Sequence, residues 1–154
     1  MKKMITASNY EVIPLDLRTN VRFYTSVDFG SYVPPHWHDA IEILYLQEGE
    51  LKVNTESTSR NLHSGQCTLI QPNKVHSTLC TRPNKAIVFQ IPLLFLEKFV
   101  SDAAQLTFQL EGTPRQASQP EWDRQKTQIN QFKEKLTQMQ FIMDTKPDGA
   151  PLMF

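Results

Sequence analysis

The sequence predicts a mainly β fold, a sandwich or barrel, followed by a helical extension. Between residues 10 and 92, short stretches that alternate apolar and polar residues are separated by Gly, Pro and Asn. Short strands with turn residues between them are typical of sandwiches and barrels. From residue 121 to residue 144 there is no Gly or Pro, and apolar residues recur at helical spacing. The length of 154 residues suits one domain with a small appendage.

The strands follow one another closely along the first part of the chain. In residues 21–29 every second side chain is apolar or Thr, which is the period of a strand. Strands 41–47 and 51–54 flank Glu48-Gly49-Glu50, a hairpin signal in which Gly supplies a positive φ. Three further strands are predicted at 67–71, 76–80 and 86–91.

The last third of the chain reads as helical. Residues 93–100 after Pro92 predict a short helix, because Pro fits a first helical turn, and residues 111–120 predict a loop. A long amphipathic helix is predicted over 120–144, ended by the Lys-Pro-Asp-Gly at 146–149. Its apolar residues follow heptad spacing, which only Gln125 interrupts: Trp122, Ile129, Phe132, Leu136, Met139 and Met143. This face either packs on the β domain of the same chain or pairs with a second copy.

Composition excludes several classes of function. The 16 basic and 16 acidic residues balance to zero net charge, which argues against a nucleic-acid surface spread over the chain. No apolar run is long enough for a membrane span, and the N-terminus lacks the apolar core of a signal peptide, so we expect a cytoplasmic protein. Cys67 and Cys80 are expected to be reduced, buried thiols, although a single bridge between them stays an alternative.

Four residues in the β region carry the candidate chemistry. His36 and His38 are two residues apart, so on an extended strand both imidazoles face the same way. Glu42 and His76 complete a set of three imidazoles and one carboxylate, which suits Zn, Ni, Fe or Mn. The alternative is that the imidazoles are pocket residues that hydrogen-bond one another, Glu42 or a bound effector.

Aromatic residues form a second group of candidates. Side chains that line a cavity would bind a sugar-like or phenolic effector, although core packing explains each of them equally well; the candidates are Tyr24, Tyr32, Tyr45 and Phe89. Trp37 lies between two histidines and is expected to pack on the opposite face, and His63 is expected in a surface turn.

The spacing of these residues resembles the two cupin motifs. Gly30-x5-His36-x-His38-x3-Glu42-x6-Gly49 matches the first motif at every position. The second motif is matched in its Gly-to-His spacing by Gly65-x6-Pro72-x3-His76. Inside it the usual glycine is replaced by Asn73 or Lys74, and Cys80 stands at the terminal Asn position. This variant, with the phrase His-Trp-His-Asp-Ala-Ile-Glu-Ile, resembles the N-terminal sensor and dimerisation domain of AraC-type transcription regulators.

The resemblance implies a cupin fold, a double-stranded β-helix or jelly-roll barrel, over residues 1–92, with a helical dimerisation and linker segment over 93–154. It implies a homodimer that binds a small-molecule effector in the barrel near His36, His38, Glu42 and His76. We expect Tyr24 and Phe89 to contact the same effector. DNA would be bound through a helix-turn-helix domain outside this chain. In metal-dependent cupins the positions of the three histidines and Glu42 hold a transition metal, so a divalent cofactor is a candidate here.

On this interpretation the chain is predicted not to be an enzyme. The alternative is a stand-alone metal-dependent cupin enzyme of the dioxygenase or isomerase class, which the complete ligand set favours. A binding cupin that stores or carries a small ligand is a third possibility.

Overall fold

The computed structural model describes residues 9–110 and 118–145, which fold into two β-sheets and a long helix. The strands are β1 (Asn9–Tyr10), β2 (Arg22–Asp28), β3 (Tyr32–Trp37), β4 (Ala40–Glu48), β5 (Glu50–Thr55), β6 (Ser59–His63), β7 (Cys67–Ile70), β8 (His76–Leu79) and β9 (Asn84–Pro92). The helices are α1 (Leu93–Leu96) and α2 (Gln119–Thr145), with a 3₁₀ turn at Ala103–Gln105. The fold is therefore mainly β with a C-terminal helix, which confirms the predicted class.

The two sheets face each other as the walls of a jelly-roll barrel. One sheet has the order β1-β3-β8-β5-β6 and the other the order β2-β9-β4-β7. Neighbouring strands are antiparallel except β1 and β3, which pair in parallel. Consecutive strands alternate between the two sheets except β5 and β6, which pair with each other, so residues distant in sequence meet inside the barrel.

Strand β4 is buried on both faces, which explains its nearly continuous apolar sequence. Leu44 and Leu46 face the barrel interior, where they pack with Cys80 and with residues of β5, β6, β7 and β9. Ile41 and Ile43 point the other way, into a second cluster that includes Leu136 of α2. The sheet containing β4 thus forms a middle layer between the barrel interior and the helix.

The predicted alternatives for α2 are partly resolved by this packing. Leu136 is 1% exposed and lies in the outer cluster, and Phe132 packs against the same cluster. Gln140 is also buried, and its side chain forms a reciprocal amide pair with Gln47 of β4. The helix therefore packs on its own β domain, and pairing with a second copy stays a prediction.

The β4–β5 hairpin at Gly49 confirms the turn expected there. Gly49 has φ +82°, and a Cβ at this position would lie 2.2 Å from the carbonyl oxygen of Pro83. Only glycine meets both the positive φ and the close approach of the facing loop.

Several elements differ from the sequence prediction. The helix expected over 93–100 extends only over Leu93–Leu96, and strands β1, β3 and β6 were not among the predicted strands. His63 ends β6 rather than lying in a turn, although its side chain is exposed. Two expected features lie outside the described residues: most of the loop, at 111–117, and the end of the long helix at 146–149. Gln119 and Pro120, which were expected in the loop, belong to α2.

Two further expectations concern thiols and membranes. Cys67 and Cys80 are both buried and are not bonded to each other, as expected for reduced thiols. Within residues 9–110 and 118–145, no helix is long and apolar enough to cross a bilayer.

Candidate functional site

Three histidines meet at one end of the barrel. His36 on β3 is paired in register with His76 on β8, and their ring centroids are 4.2 Å apart. His38 follows β3 by one residue and approaches the other two rings, with centroids 5.0 Å from His76 and 6.0 Å from His36. One ligand nitrogen from each ring lies within 4.8 Å of the others. The three histidines predicted to share a site are therefore together.

Each imidazole is held by a backbone carbonyl. Nδ1 of His36 lies 2.9 Å from the Pro34 carbonyl oxygen, and Nδ1 of His76 lies 2.9 Å from that of Lys74. Nδ1 of His38 lies 3.1 Å from the Ala40 carbonyl oxygen. Because a carbonyl oxygen only accepts, Nδ1 must carry the proton in all three rings. In the neutral ring this leaves the Nε2 lone pair free, which is how ligating histidines are commonly oriented.

Glu42 lies on the inward face of β4 and contacts two of these rings. Its Oε2 is 2.9 Å from Nε2 of His38 and 3.8 Å from Nε2 of His76. The side-chain amide of Gln90 donates to the same oxygen at 2.7 Å. Burial raises the pKa of Glu42, but the contacts with His38, His76 and Gln90 outweigh it and hold the pKa below its ordinary value. The carboxylate is therefore ionised inside the barrel.

The close approach of Nε2 of His38 to Oε2 of Glu42 requires a positive charge between these two atoms. Nδ1 of His38 already donates to the Ala40 carbonyl, so the neutral ring presents a lone pair at Nε2. Two lone pairs at 2.9 Å repel unless the ring carries a second proton or a cation is shared by Nε2 and the carboxylate. The geometry is thus compatible with either a proton or a metal ion at this place.

His76 supplies the test of whether a metal fits. Its side chain is 1% exposed, and its Nε2 is buried without a hydrogen-bond partner. Burial lowers the pKa of His76, but the nearby Glu42 carboxylate and the Lys74 carbonyl raise it above the ordinary value. An unpartnered buried nitrogen beside two further imidazoles is the environment that a divalent ion satisfies. The three histidines therefore fit a metal.

A cavity of about 240 Å³ adjoins the histidines inside the barrel. Strand β2 turns Arg22, Tyr24, Ser26 and Asp28 towards it, while Phe23 faces the outer cluster. The guanidinium of Arg22 lies 4.2 Å from the centre of the Tyr24 ring and donates to Gln90 at 3.4 Å. The cavity thus combines a cation, a phenol and an amide with the histidine cluster.

The structure brings some of the predicted aromatic residues to this cavity and not others. Tyr24 lines the cavity, and burial raises the pKa of its hydroxyl. Phe89 does not: it packs edge-on against Phe23 in the outer cluster, because neighbouring residues of a strand face opposite sides. Tyr45 also packs in the outer cluster, and Tyr32 is largely exposed. The expectation that Phe89 contacts the effector is therefore corrected.

The cavity residues that the sequence analysis missed include three with charged or amide side chains near the histidines: Glu11, Arg22 and Gln90. Arg22 and Gln90 alternate with apolar residues on predicted strands, so the polar face of each strand was the available signal. Glu11 lies beside the histidines only through the pairing of β1 with β3, which no local pattern reveals. Trp37 packs against Tyr10 at 4.7 Å between ring centroids, in agreement with its predicted packing role.

Comparison with known proteins supports the fold. Residues 23–92 match the family described as the cupin domain. Similar solved structures include a cupin-2 domain protein from Shewanella frigidimarina, with 20% identity over 53% of this chain and 78% of that chain and a TM-score of 0.44. No curated protein gave a significant match to the sequence.

Other similar structures carry the names of enzymes. The DMSP lyase DddQ of Ruegeria pomeroyi is 28% identical over 46% of this chain, with a TM-score of 0.42, and the match spans 38% of the lyase. A protein described as a predicted oxalate decarboxylase from Thermotoga maritima is 21% identical over 46% of this chain and 65% of that chain, with a TM-score of 0.43.

These names correct the prediction that the chain is not an enzyme. That prediction was wrong, because chains named as enzymes occur among the similar structures and the cupin fold does not settle whether a chain is catalytic. The family match and the two-sheet barrel agree on the architecture: residues 23–92 have the fold of a cupin barrel.

Proposed function

We propose that the barrel binds a small-molecule effector as the sensor domain of an AraC-type transcription regulator. The observation that carries the proposal is the cavity of about 240 Å³, which is lined by polar side chains and adjoins the histidine cluster. Pockets that bind small molecules combine apolar walls with a few placed polar groups. Here Leu44 and Val88 form walls, and Arg22, Tyr24 and Gln90 offer hydrogen bonds.

The effector acts by linkage in this proposal. A molecule that binds one arrangement of the chain better than another shifts the population towards that arrangement. The shift would reach DNA through a helix-turn-helix domain encoded beyond this chain and through a homodimer. The resemblance of the His-Trp-His-Asp-Ala-Ile-Glu-Ile phrase to such regulators supports this part.

A ligand screen with matched tyrosine variants tests effector binding. The thermal midpoint would be measured against a panel of pentoses, hexoses, uronic acids and simple phenols. We expect one class to raise the midpoint of the wild type and Tyr45→Phe equally, and that of Tyr24→Phe less, because only Tyr24 lines the cavity. Equal responses of both variants to the binding compound would contradict binding in the barrel.

Two measurements test the regulator context. Sedimentation of the 154-residue chain at tens of micromolar should show a dimer, and a strict monomer would remove that part of the proposal. The parent gene should encode two helix-turn-helix segments after this stretch.

Metal-dependent catalysis at the same site is a second candidate function, favoured by the unpartnered Nε2 of His76. His36, His38 and His76 would hold the metal, which would supply a Lewis acid to polarise a bound oxygen. The residues of the barrel would orient the substrate: Arg22 would attract an anionic group, and Gln90 would keep Glu42 in place. Metal analysis of the purified chain, followed by turnover assays with and without added metal, separates this function from sensing.

A further inference from the structure

Glu11 occupies an unusual position beside the histidine cluster. It follows β1, and its backbone N–H donates to the Trp37 carbonyl at 2.9 Å. The parallel pairing of Asn9 with His36 and the contact between Tyr10 and Trp37 hold this segment against β3. The side chain of Glu11 consequently reaches the barrel cavity, with Oε2 at 3.6 Å from Nε2 of His36.

Two buried polar atoms at this place lack a partner. In the described ranges 9–110 and 118–145, Oε2 of Glu11 and Nε2 of His76 are the buried side-chain atoms without a hydrogen bond. Both border His36, since Oε2 of Glu11 lies 3.6 Å from its Nε2 and the centroid of the His76 ring lies 4.2 Å from that of the His36 ring. Unpartnered buried polar groups are costly, and a carboxylate oxygen and an imidazole nitrogen are donors that a divalent cation accepts.

We propose that Glu11 is a carboxylate ligand of a divalent metal ion held by His36, His38 and His76. Glu42, the carboxylate expected from the motif spacing, already accepts a hydrogen bond through Oε2 from the side-chain amide of Gln90 at 2.7 Å. Oε2 of Glu11 has no such partner and is free to coordinate. This inference concerns the metal site alone and does not depend on the proposed effector.

An ion pair between Glu11 and His36 is the competing explanation. The separation of 3.6 Å between Oε2 and Nε2 exceeds a good hydrogen bond, and an ion pair leaves His76 Nε2 without a partner. An ion held by the three histidines would coordinate Nε2 of His76, and Oε2 of Glu11 lies 3.6 Å from the His36 nitrogen of the same group. The two explanations differ in one measurable respect: a ligand enters the coordination sphere and alters the visible absorption of bound Co²⁺, whereas an ion-pair partner of His36 does not.

Calorimetric titration of the metal-free chain with Co²⁺ and Ni²⁺ tests the proposal. We expect Glu11→Gln to weaken binding at least about tenfold and to change the visible absorption of the Co²⁺ complex. Glu11→Asp should also weaken binding, since the shorter side chain withdraws the carboxylate while keeping its charge. Thermal unfolding in EDTA establishes that each variant is folded, and Glu11→Asp serves if Glu11→Gln does not fold.

The chain offers a matched control in a second Glu–His pair. Glu50 Oε1 lies 3.5 Å from His63 Nδ1 on the exposed surface, so Glu50→Gln removes the same charge from the same kind of contact. Its metal affinity should equal that of the wild type. Three results would each overturn the proposal: unchanged affinity in the folded Glu11 variants, an equal loss of affinity in Glu50→Gln, or no metal binding by the wild type. None of these results bears on effector binding in the screen described above.

Discussion

Replacing Leu136 with alanine removes the side chain by which α2 is most deeply anchored to the β domain. Leu136 is 1% exposed and lies in the outer cluster with Ile41, Ile43, Cys67 and Ile87. Alanine keeps the helical preference of the position, so the change acts on packing and not on helix formation. The variant therefore measures how much this contact stabilises the fold of one chain.

The expected loss follows from the atoms removed. Leucine to alanine deletes three buried carbons, worth about 2.4 kcal/mol at about 0.8 kcal/mol for each buried methylene. A cavity term brings such changes to between about 2 and 5 kcal/mol. The neighbouring helix residue Phe141 is 68% exposed, so α2 borders solvent and can partly close the gap, and we expect about 3 kcal/mol. For a chain of this size that corresponds to a thermal midpoint lower by roughly 6–12 °C.

Urea unfolding at two protein concentrations is the assay. Leu94→Ala is the matched control, because it is the same chemical change at a side chain that is 72% exposed, where we expect an effect within about 0.5 kcal/mol. A loss below about 1 kcal/mol for Leu136→Ala would refute the packing argument. A loss that appears only at high protein concentration would show that the contact stabilises a dimer instead.

Three further predictions concern the hairpin, the helix and the site. Gly49→Ala should lower the free energy of unfolding by at least about 2 kcal/mol, because the new Cβ would lie 2.2 Å from a backbone oxygen. Gly65 has φ +87° but open space around it, so Gly65→Ala should cost only about 1 kcal/mol of backbone strain. The same urea titration measures both variants. Gln140→Leu should lower the free energy of unfolding by about 1–3 kcal/mol, since it leaves the half-buried amide of Gln47 without its partner. A loss below about 0.5 kcal/mol would contradict this, because a hydrogen bond of this kind contributes about 1 kcal/mol. Glu42 has a lowered pKa in the folded chain, so its contribution to stability is complete above the ordinary carboxyl pKa of about 4.3 and is lost as the pH falls below it. In EDTA the stability difference between wild type and Glu42→Gln should therefore shrink from pH 6 to pH 3, and a difference that stays constant would contradict the assignment.

The parts of the fold that were predictable are those with a local signal. The alternation of β2, the Gly49 hairpin and the heptad spacing of α2 each depend on residues close in sequence, and each element is present. Strand β6 escaped prediction because its sequence, Ser-Arg-Asn-Leu-His, has one buried apolar residue, Leu62, and four polar ones. Pairing with β5 in the sheet, and not the preference of its own residues, makes this segment a strand.

The site was predictable to the extent that its spacing is local. His36 and His38 are neighbours in sequence, and the motif placed His76 with them. The contribution of Glu11 depends on a strand of two residues, Asn9–Tyr10, that pairs in parallel with β3. A contact between segments more than 20 residues apart leaves no periodic trace in either of them, so it required the structure.

The two faces of β2 and β9 give the proposed sensor a physical route from cavity to helix. Arg22 and Gln90 are paired in register and share the cavity, while the next pair along, Phe23 and Phe89, packs at 5.5 Å in the cluster that holds Leu136. A ligand that moved Arg22 would therefore act one residue away from the contact of α2. Because packed layers resist continuous deformation, such a displacement favours a discrete change in how the helix sits. If effector binding in the barrel is linked to α2, the bound compound should change the rate of amide exchange along Gln119–Thr145. In Leu136→Ala this change in exchange rate should be smaller than in the wild type.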